Sequence, residues 1–379
     1  MIKKFLYFFN KNQKKYLLIF LSLMFISTIL EMLGLGFIFS IVGILSDSSE
    51  RSNIIVTKLS TLYDLDRNEI FSYFAIVFLI FYVIKIVFLI FYNWFENKFL
   101  YSYKENLSSR IFKQYLNQDL SYFYNRNSSE FVRNLITEID QFNVYLLHVL
   151  KLSLELIVIV GIIGILAYIN FYITFLVSLT FLIVTSVYFL LFKNKLNLWG
   201  IQRQRNVQKR IQFMQEGFDG IKIIKLLGRE NFFFNKFKDH NVSLNNLSAI
   251  TQFWGSIPRL LFEFVGIFLV VFVLFTLYYS GKNLIEIVQI LSVYIAASFR
   301  ILPSINRIVS SLQIIKLNYP VLNLLYREIN NFKKEAQSTD AQFSFKNNAD
   351  INIENFKYPN SNNFEISNIK LNILKGQKI

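Results

Sequence analysis

Six long apolar segments constrain the fold of this chain more than any other feature of its sequence. The hydrocarbon core of a bilayer is ~30 Å thick, and about 20 apolar residues in an α-helix cross it. Because lipid offers the backbone no hydrogen-bond partners, each segment must cross as a helix. The sequence therefore predicts an all-α membrane protein with six transmembrane helices. These spans lie at about residues 16–45, 71–93, 144–168, 173–192, 257–279 and 284–302.

The distribution of positive charge predicts how these spans are oriented. The formal net charge is +15, and Lys and Arg accumulate at the amino terminus and in two long polar sections, 97–141 and 193–249. The positive-inside rule places such segments in the cytoplasm, so both termini are predicted to be cytoplasmic. The same rule explains the basic charge without a nucleic-acid partner. The chain has no Cys, so the sequence predicts no disulfide framework and no Cys-based metal site. The two His are far apart in sequence and lack the spacing of metal ligands.

The composition divides the chain into a membrane domain and a second, smaller region. Residues 1–332 are predicted to form the membrane domain, in which the two polar sections are long cytosolic helical extensions. Residues 333–345 are a polar linker, and from 346 to 379 apolar and polar residues alternate as they do in β-strands. The helical stretch 284–331 leads from the last span into this region, which is the layout of a transporter driven by a soluble domain.

The carboxy-terminal region is predicted to contain three short strands. They begin at residue 350, and turn-forming residues at 359–363 and 375–376 separate them.

Basic residues within or next to the apolar spans are the candidate substrate-binding residues. Lys85, Arg259 and Arg300 lie in or at the ends of spans, and Arg307 lies just beyond the sixth. A charge in a membrane costs a few kcal/mol even on lenient scales, so such residues usually serve a function. If their faces line one cavity, they form a basic belt at inner-leaflet depth. Such a belt suits an anionic head group such as phosphate or pyrophosphate.

Local charge pairing is the competing interpretation of the same residues. Lys151 and Glu155, and likewise Arg259 and Glu263, are four residues apart and could neutralise each other along one helix face. Long basic side chains near helix ends also extend to the membrane interface. We weigh this interpretation most heavily for Lys151.

The carboxy-terminal strands and the two polar sections resemble exporter-type ABC transporters, in which a membrane domain is fused to a nucleotide-binding domain. The segment F-K-Y-P…L-N-I-L-K-G-Q-K-I is similar to the start of that domain. The resemblance implies that Tyr358 stacks on the adenine of ATP, with Mg as the second cofactor. The phosphate-binding motif G-x-x-x-x-G-K-[ST] is not present. We therefore expect a chain truncated before that motif, and ATP hydrolysis only in a full-length parent.

The resemblance also implies two coupling helices, which carry movement between the two domains. The first falls near Leu120–Asn125 and the second within EGFDGIKIIKLLGRENFFFNKF. Where the family usually has glycine, this chain has Ser129 or Glu130. The residues assigned to the coupling helices are Leu120, Tyr122, Phe123, Gly220, Ile221 and Lys222.

Three further segments are similar to bacterial Pgl-type flippases for lipid-linked oligosaccharides. They are EMLGLGFIFSIVGILSD, IPRLLFEFVGI and FRILPSINRI. This resemblance implies a homodimer in the bacterial inner membrane that translocates a polyprenyl-pyrophosphate oligosaccharide. Exporters of lipid A, polysaccharide lipids or peptides remain alternatives, as do a secondary transporter and a membrane sensor.

An apolar face in the first outer loop is the last candidate feature. Ile55, Val56, Leu59, Leu62 and Tyr63 recur at helical spacing. The face is predicted either to contact a polyprenyl tail at the outer leaflet or to pack on the protein itself.

Overall fold

The computed structural model shows a bundle of long helices and a two-stranded antiparallel sheet. It describes residues 11–45, 67–124, 126–279, 284–332, 348–357, 365–374 and 376–377. The larger helices are α1 (Lys11–Leu45), α2 (Arg67–Leu116), α5 (Ile139–Ile169), α6 (Phe171–Asp219), α8 (Glu230–Tyr279) and α9 (Leu284–Leu317). The shorter helices are α3 (Leu120–Phe123), α4 (Ser128–Arg133), α7 (Ile221–Leu227) and α10 (Tyr319–Asn331), with a π-helical turn at Asn134–Glu138.

Three of the helices are much longer than a membrane is thick. Helices α2 and α8 have 50 residues each and α6 has 49, so each is ~75 Å long at 1.5 Å per residue. Each runs without interruption from a predicted apolar span into a polar section. The predicted helical extensions are therefore confirmed, and they are continuous with the spans.

Helices α5 and α6 meet at a single residue, Asn170. Its backbone is extended, with φ −149° and ψ 102°, and its side-chain oxygen accepts a hydrogen bond from the Ile173 N–H at 3.1 Å. This side chain caps α6 because it satisfies one of the N–H groups that the first helical turn leaves unpaired.

The main core lies where the extensions leave the predicted spans. It joins α1, α2, α5, α9 and α10 through fully buried residues such as Phe20, Ile111, Tyr145 and Leu322. Two smaller clusters hold α5, α6, α8 and α9 together within the span region. Among the described residues, the largest group of buried apolar side chains therefore lies at the extension end of the bundle.

The predicted stalk after the sixth span is not one straight helix. Helix α9 ends at Leu317, Asn318 interrupts it, and α10 starts with Pro320 in its first turn. The segments on either side are bent by 43°. Proline is favoured in a first turn because it has no N–H to leave unpaired there, and its ring would disrupt the helix further along.

The carboxy-terminal sheet contains β1 (Asn348–Lys357) and β2 (Glu365–Leu374), paired antiparallel with Ile351 opposite Leu371. Two of the three predicted strands are therefore present. The turn predicted at 375–376 agrees with the described residue Gly376, which has a φ of 87° that favours glycine, and with the Gln377 N–H, which donates to the Leu374 carbonyl at 3.1 Å. The predicted third strand follows this turn, and residues 378–379 lie outside the described ranges.

Within the described ranges, five helices are long and apolar enough to cross a membrane. A sixth is counted if 298–317 and 319–331 are taken together as one bent span. This agrees with the all-α membrane fold predicted from the sequence.

Candidate functional site

An ion pair joins the first and sixth predicted spans. The guanidinium of Arg300 on α9 contacts the carboxylate of Glu31 on α1. The side chains are 28% and 13% exposed, so the pair is largely enclosed by protein. Arg300 was predicted as a substrate-binding cation, whereas its acidic partner was not.

Lys85 on α2 lies beside this ion pair. A Cβ added to Gly34, three residues after Glu31, would stand 3.2 Å from the Lys85 ammonium nitrogen. That nitrogen also lies 4.9 Å from the centre of the Tyr82 ring, and the charges of Glu31 and Arg300 both act on it. Glu31, Lys85 and Arg300 therefore form one charge cluster, contributed by three helices and carrying two positive charges and one negative.

Arg307 belongs to a second ion pair. It lies on α9 seven residues after Arg300, which is about two helical turns. Its guanidinium contacts the carboxylate of Glu155 on α5 and donates to the Ser304 hydroxyl at 3.3 Å. The Glu155 side chain is only 6% exposed. The competing expectation that Glu155 neutralises Lys151 is therefore wrong, because the buried carboxylate faces α9 and Lys151 is exposed.

Arg259 stands apart from the other predicted cations. Its side chain is exposed on α8, and among the described residues no ion pair joins it to Glu263. The second expected pair four residues apart is thus not formed either.

The basic belt expected from the sequence is therefore only partly assembled. Lys85 and Arg300 converge, Arg307 is neutralised by an acid, and Arg259 lies elsewhere on the surface. One sequence signal could have identified Glu31: it is the only charged residue between Lys15 and Asp47, and an ionisable group in a membrane span usually has a partner.

An apolar cavity of about 410 Å³ lies between α5, α6 and α9. Ile301, Ile305 and Ile308 line it from α9. The hydroxyls of Tyr294 and Thr174, which also line the cavity, lie 2.8 Å apart. The volume is in the range of small-molecule sites. Because Ile301 and Ile308 directly follow Arg300 and Arg307, α9 contributes to the cavity and to both ion pairs.

A buried carboxylate in the helical extensions ties α10 to the segment around α3. Glu328 on α10 accepts hydrogen bonds from the Tyr122 hydroxyl at 2.8 Å, the Tyr115 hydroxyl at 3.1 Å and the Arg126 guanidinium. Burial by itself raises the pKa of this carboxyl, but the hydrogen bonds and the Arg126 charge outweigh burial and hold the pKa below its usual value. We call Tyr115, Tyr122, Arg126 and Glu328 the extension lock.

The residues predicted for the first coupling helix fall on and around α3. Leu120 is 76% exposed, whereas the rings of Tyr122 and Phe123 pack on Phe131, with centroids 6.0 and 5.2 Å apart. Helix α3 is a single turn of four residues, flanked by Asp119 and Tyr124.

The residues predicted for the second coupling helix fall at the start of α7. Gly220 precedes it, while Ile221 and Lys222 are its first two residues and are exposed. Gly228 ends the helix with a φ of 61°. The coupling role of α3 and α7 remains a prediction.

Two further predictions fall on residues outside the described ranges. These are the adenine-stacking role of Tyr358 and the apolar face of the outer loop at Ile55, Val56, Leu59, Leu62 and Tyr63.

The long apolar helices define a multi-pass membrane protein, and their continuous polar extensions are the layout predicted for an exporter-type transporter. Residues 16–302 match the family described as the ABC transporter transmembrane region. The chain belongs to this family, as the membrane domain of an exporter-type ABC transporter. This match spans all six predicted transmembrane segments.

Proposed function

We propose that the chain is the membrane part of an ATP-driven flippase for a lipid with a pyrophosphate head group, such as a polyprenyl-pyrophosphate oligosaccharide. The observation that carries the proposal is the charge cluster. It holds two cations and one acid within the span region, so it keeps one positive charge that no side chain of the cluster offsets.

The chemistry of the cluster suits phosphate oxygens. A guanidinium binds phosphate with two parallel N–H donors, and an ammonium adds a compact point charge. In the low dielectric of a membrane, an uncompensated cation attracts an anion more strongly than it does in water.

The apolar cavity beside the same helix supports the lipid part of the proposal. Its lining is almost entirely hydrocarbon, and Ile301 adjoins the arginine of the cluster in sequence. A cargo with an anionic head and a hydrocarbon tail matches the chemistry of both surfaces, to which α9 contributes neighbouring residues. An oligosaccharide without a charged lipid carrier, or a peptide, does not match the charge cluster and the apolar cavity in the same way.

The proposal includes an assembly and an energy source. ABC exporter membrane domains typically work as dimers in membrane lipid, and we propose a homodimer in the bacterial inner membrane with both termini cytoplasmic. ATP and Mg would bind the nucleotide-binding domain of the full-length protein, where the resemblance assigns Tyr358 to the adenine.

Transport by the full-length protein in proteoliposomes tests the proposal. Arg300→Gln and Lys85→Gln should each lower the flipping rate of a fluorescent polyprenyl diphosphate by about tenfold, since a hydrogen bond to a charged group contributes ~1.5–3 kcal/mol. Basal ATP hydrolysis should change little, because these residues lie in the spans rather than in the nucleotide site.

Lys151→Gln is the matched control, because it removes one exposed positive charge within the predicted third span without touching the cluster. It should leave flipping at the wild-type rate. Wild-type flipping by the Arg300 and Lys85 variants, or equal transport of a neutral lipid, would contradict the proposal.

A further inference from the structure

Glu31 places a carboxylate in the position that suits an anionic head group. Its oxygen contacts the Arg300 guanidinium, and its charge acts on the Lys85 ammonium from the neighbouring helix. Carboxylate and phosphate present the same kind of acceptor oxygen, and the guanidinium fork binds either one.

We infer that Glu31 is an exchangeable counter-ion, which holds the anion position of the charge cluster until the phosphate of the cargo displaces it. The inference deepens the proposed function and rests on it. It gives Glu31 a role in specificity, because only a ligand that competes with a carboxylate for Arg300 and Lys85 can bind there.

The charge balance explains why a counter-ion is needed. Two cations brought together in a membrane without an acid would repel each other more strongly than they do in water. Glu31 reduces the net charge of the cluster from +2 to +1. The remaining positive charge still favours an incoming ligand with more than one negative charge over the single charge of Glu31.

The second ion pair provides a contrast within the same protein. Arg307 and Glu155 balance one to one, and the Ser304 hydroxyl adds a further hydrogen bond to the guanidinium. That pair joins two helices, α5 and α9, with no surplus cation. Its balance suits a fixed structural contact, whereas the charge cluster has a surplus positive charge and draws its members from three helices.

The packing at Gly34 shows how closely the third member of the cluster approaches α1. The Lys85 ammonium lies where any side chain at position 34 would crowd it, since a Cβ there would stand only 3.2 Å away. Lys85 therefore reaches the helix that carries Glu31, one turn along it, and is placed to hold a ligand that replaces the carboxylate.

Binding of geranylgeranyl diphosphate to the full 379-residue chain in phosphatidylcholine nanodiscs tests the inference. Titration calorimetry should show that Glu31→Gln binds this probe about tenfold more tightly than wild type, because the competing charge is gone. Binding of geranylgeraniol, which has the same tail and no phosphate, should not change.

Glu263→Gln is the matched control. It removes one carboxylate from an exposed position of α8 that has no ion pair with Arg259, so the net charge changes equally while the cluster stays intact. Its affinity for the diphosphate should equal that of wild type. The double variant with Glu31→Gln and Arg300→Gln should lose the gain in affinity.

Unchanged or weaker diphosphate binding by Glu31→Gln would overturn the inference and identify Glu31 as a structural anchor. If that variant does not fold, Glu31→Asp is measured, because its shorter side chain draws the charge back from Arg300 and should also tighten binding.

The failures of the two proposals are distinguishable. A wild-type protein that prefers the diphosphate to geranylgeraniol, with no gain from Glu31→Gln or Glu31→Asp, refutes the counter-ion alone. Equal binding of both probes by wild type and variants refutes the anionic cargo as well.

Discussion

At the scale of single residues, Gly200 shows how closely two of the long helices approach each other. A Cβ at this position of α6 would lie 2.1 Å from the backbone oxygen of Leu317, the last residue of α9. Next to that contact, Arg203 donates to the Asn318 side chain at 3.0 Å. Helix α6 therefore rests against the interruption between α9 and α10.

Gly200→Ala is predicted to destabilise the protein. The clash is with backbone, which cannot rotate away as a side chain can, so we expect a loss of ~1–3 kcal/mol or more in the free energy of unfolding. Gly164→Ala is the control, because a Cβ there meets nothing within 4 Å. That change should be neutral or stabilise the helix by ~0.5–1 kcal/mol. Thermal unfolding in detergent, followed by intrinsic fluorescence, measures both, and equal midpoints for the two variants would contradict the described contact.

At the scale of the elements, the sequence predicted where the helices lie but not which residues form ion pairs between them. Apolar length predicts each span from local composition alone, and the polar sections continue the helical pattern. The pairing of Glu31 with Arg300, and of Glu155 with Arg307, joins residues more than 150 positions apart. The packing of α5 on α9 decides the second pair, and the first depends on the long Arg300 side chain reaching Glu31 on α1. Spacing along one helix therefore predicted the wrong partner for Glu155.

The interruption at Asn318 and the extension lock were missed for a related reason. Pro320 does signal a helix start, but the sequence reads equally well as one continuous stalk. The buried position of Glu328 depends on Tyr115, Tyr122 and Arg126, which lie about 200 residues earlier in the chain.

Glu328→Gln is predicted to weaken the extension lock. The change removes the charge that Arg126 faces and weakens the hydrogen bonds from two tyrosines, so we expect a loss of ~1.5–3 kcal/mol in the free energy of unfolding. Glu130→Gln is the control, since Glu130 meets the same Arg126 at 3.4 Å but is 27% exposed. Its effect should stay within ~1 kcal/mol.

The pH dependence of the difference between wild type and Glu328→Gln checks the same contact. Because the pKa of Glu328 is lower in the folded protein, its contribution is fully present above the usual value of 4.5 and is lost as the pH falls through the folded pKa. Unfolding midpoints at pH 7, 5 and 3.5 should therefore converge for the two proteins. A constant difference across this range would mean that the carboxylate is not held ionised by Arg126.

At the scale of the whole molecule, the proposed orientation has a direct test because the chain contains no Cys. A Cys introduced at Ser243, in the extension of α8, should react with a membrane-impermeant maleimide only after the cells are opened. A Cys at Lys282, in the short connection between the fifth and sixth spans, should react in intact spheroplasts. The reverse pattern would place the helical extensions outside the cell and contradict the proposed position of the nucleotide-binding domain.

The interruption at Asn318 has a mechanical consequence for the whole molecule. A load applied to the chain beyond residue 332 reaches α10 first, and α10 is fastened sideways through Glu328 to the segment around α3 rather than continuing straight into α9. Because of the 43° bend, α10 does not continue the axis of α9, and a force on α10 acts through Glu328 on the long helix α2, which carries Tyr115. If the carboxy-terminal strands move in transport, we expect their movement to reach α2 at Tyr115, which lies some 45 Å along that helix from Lys85 at 1.5 Å per residue.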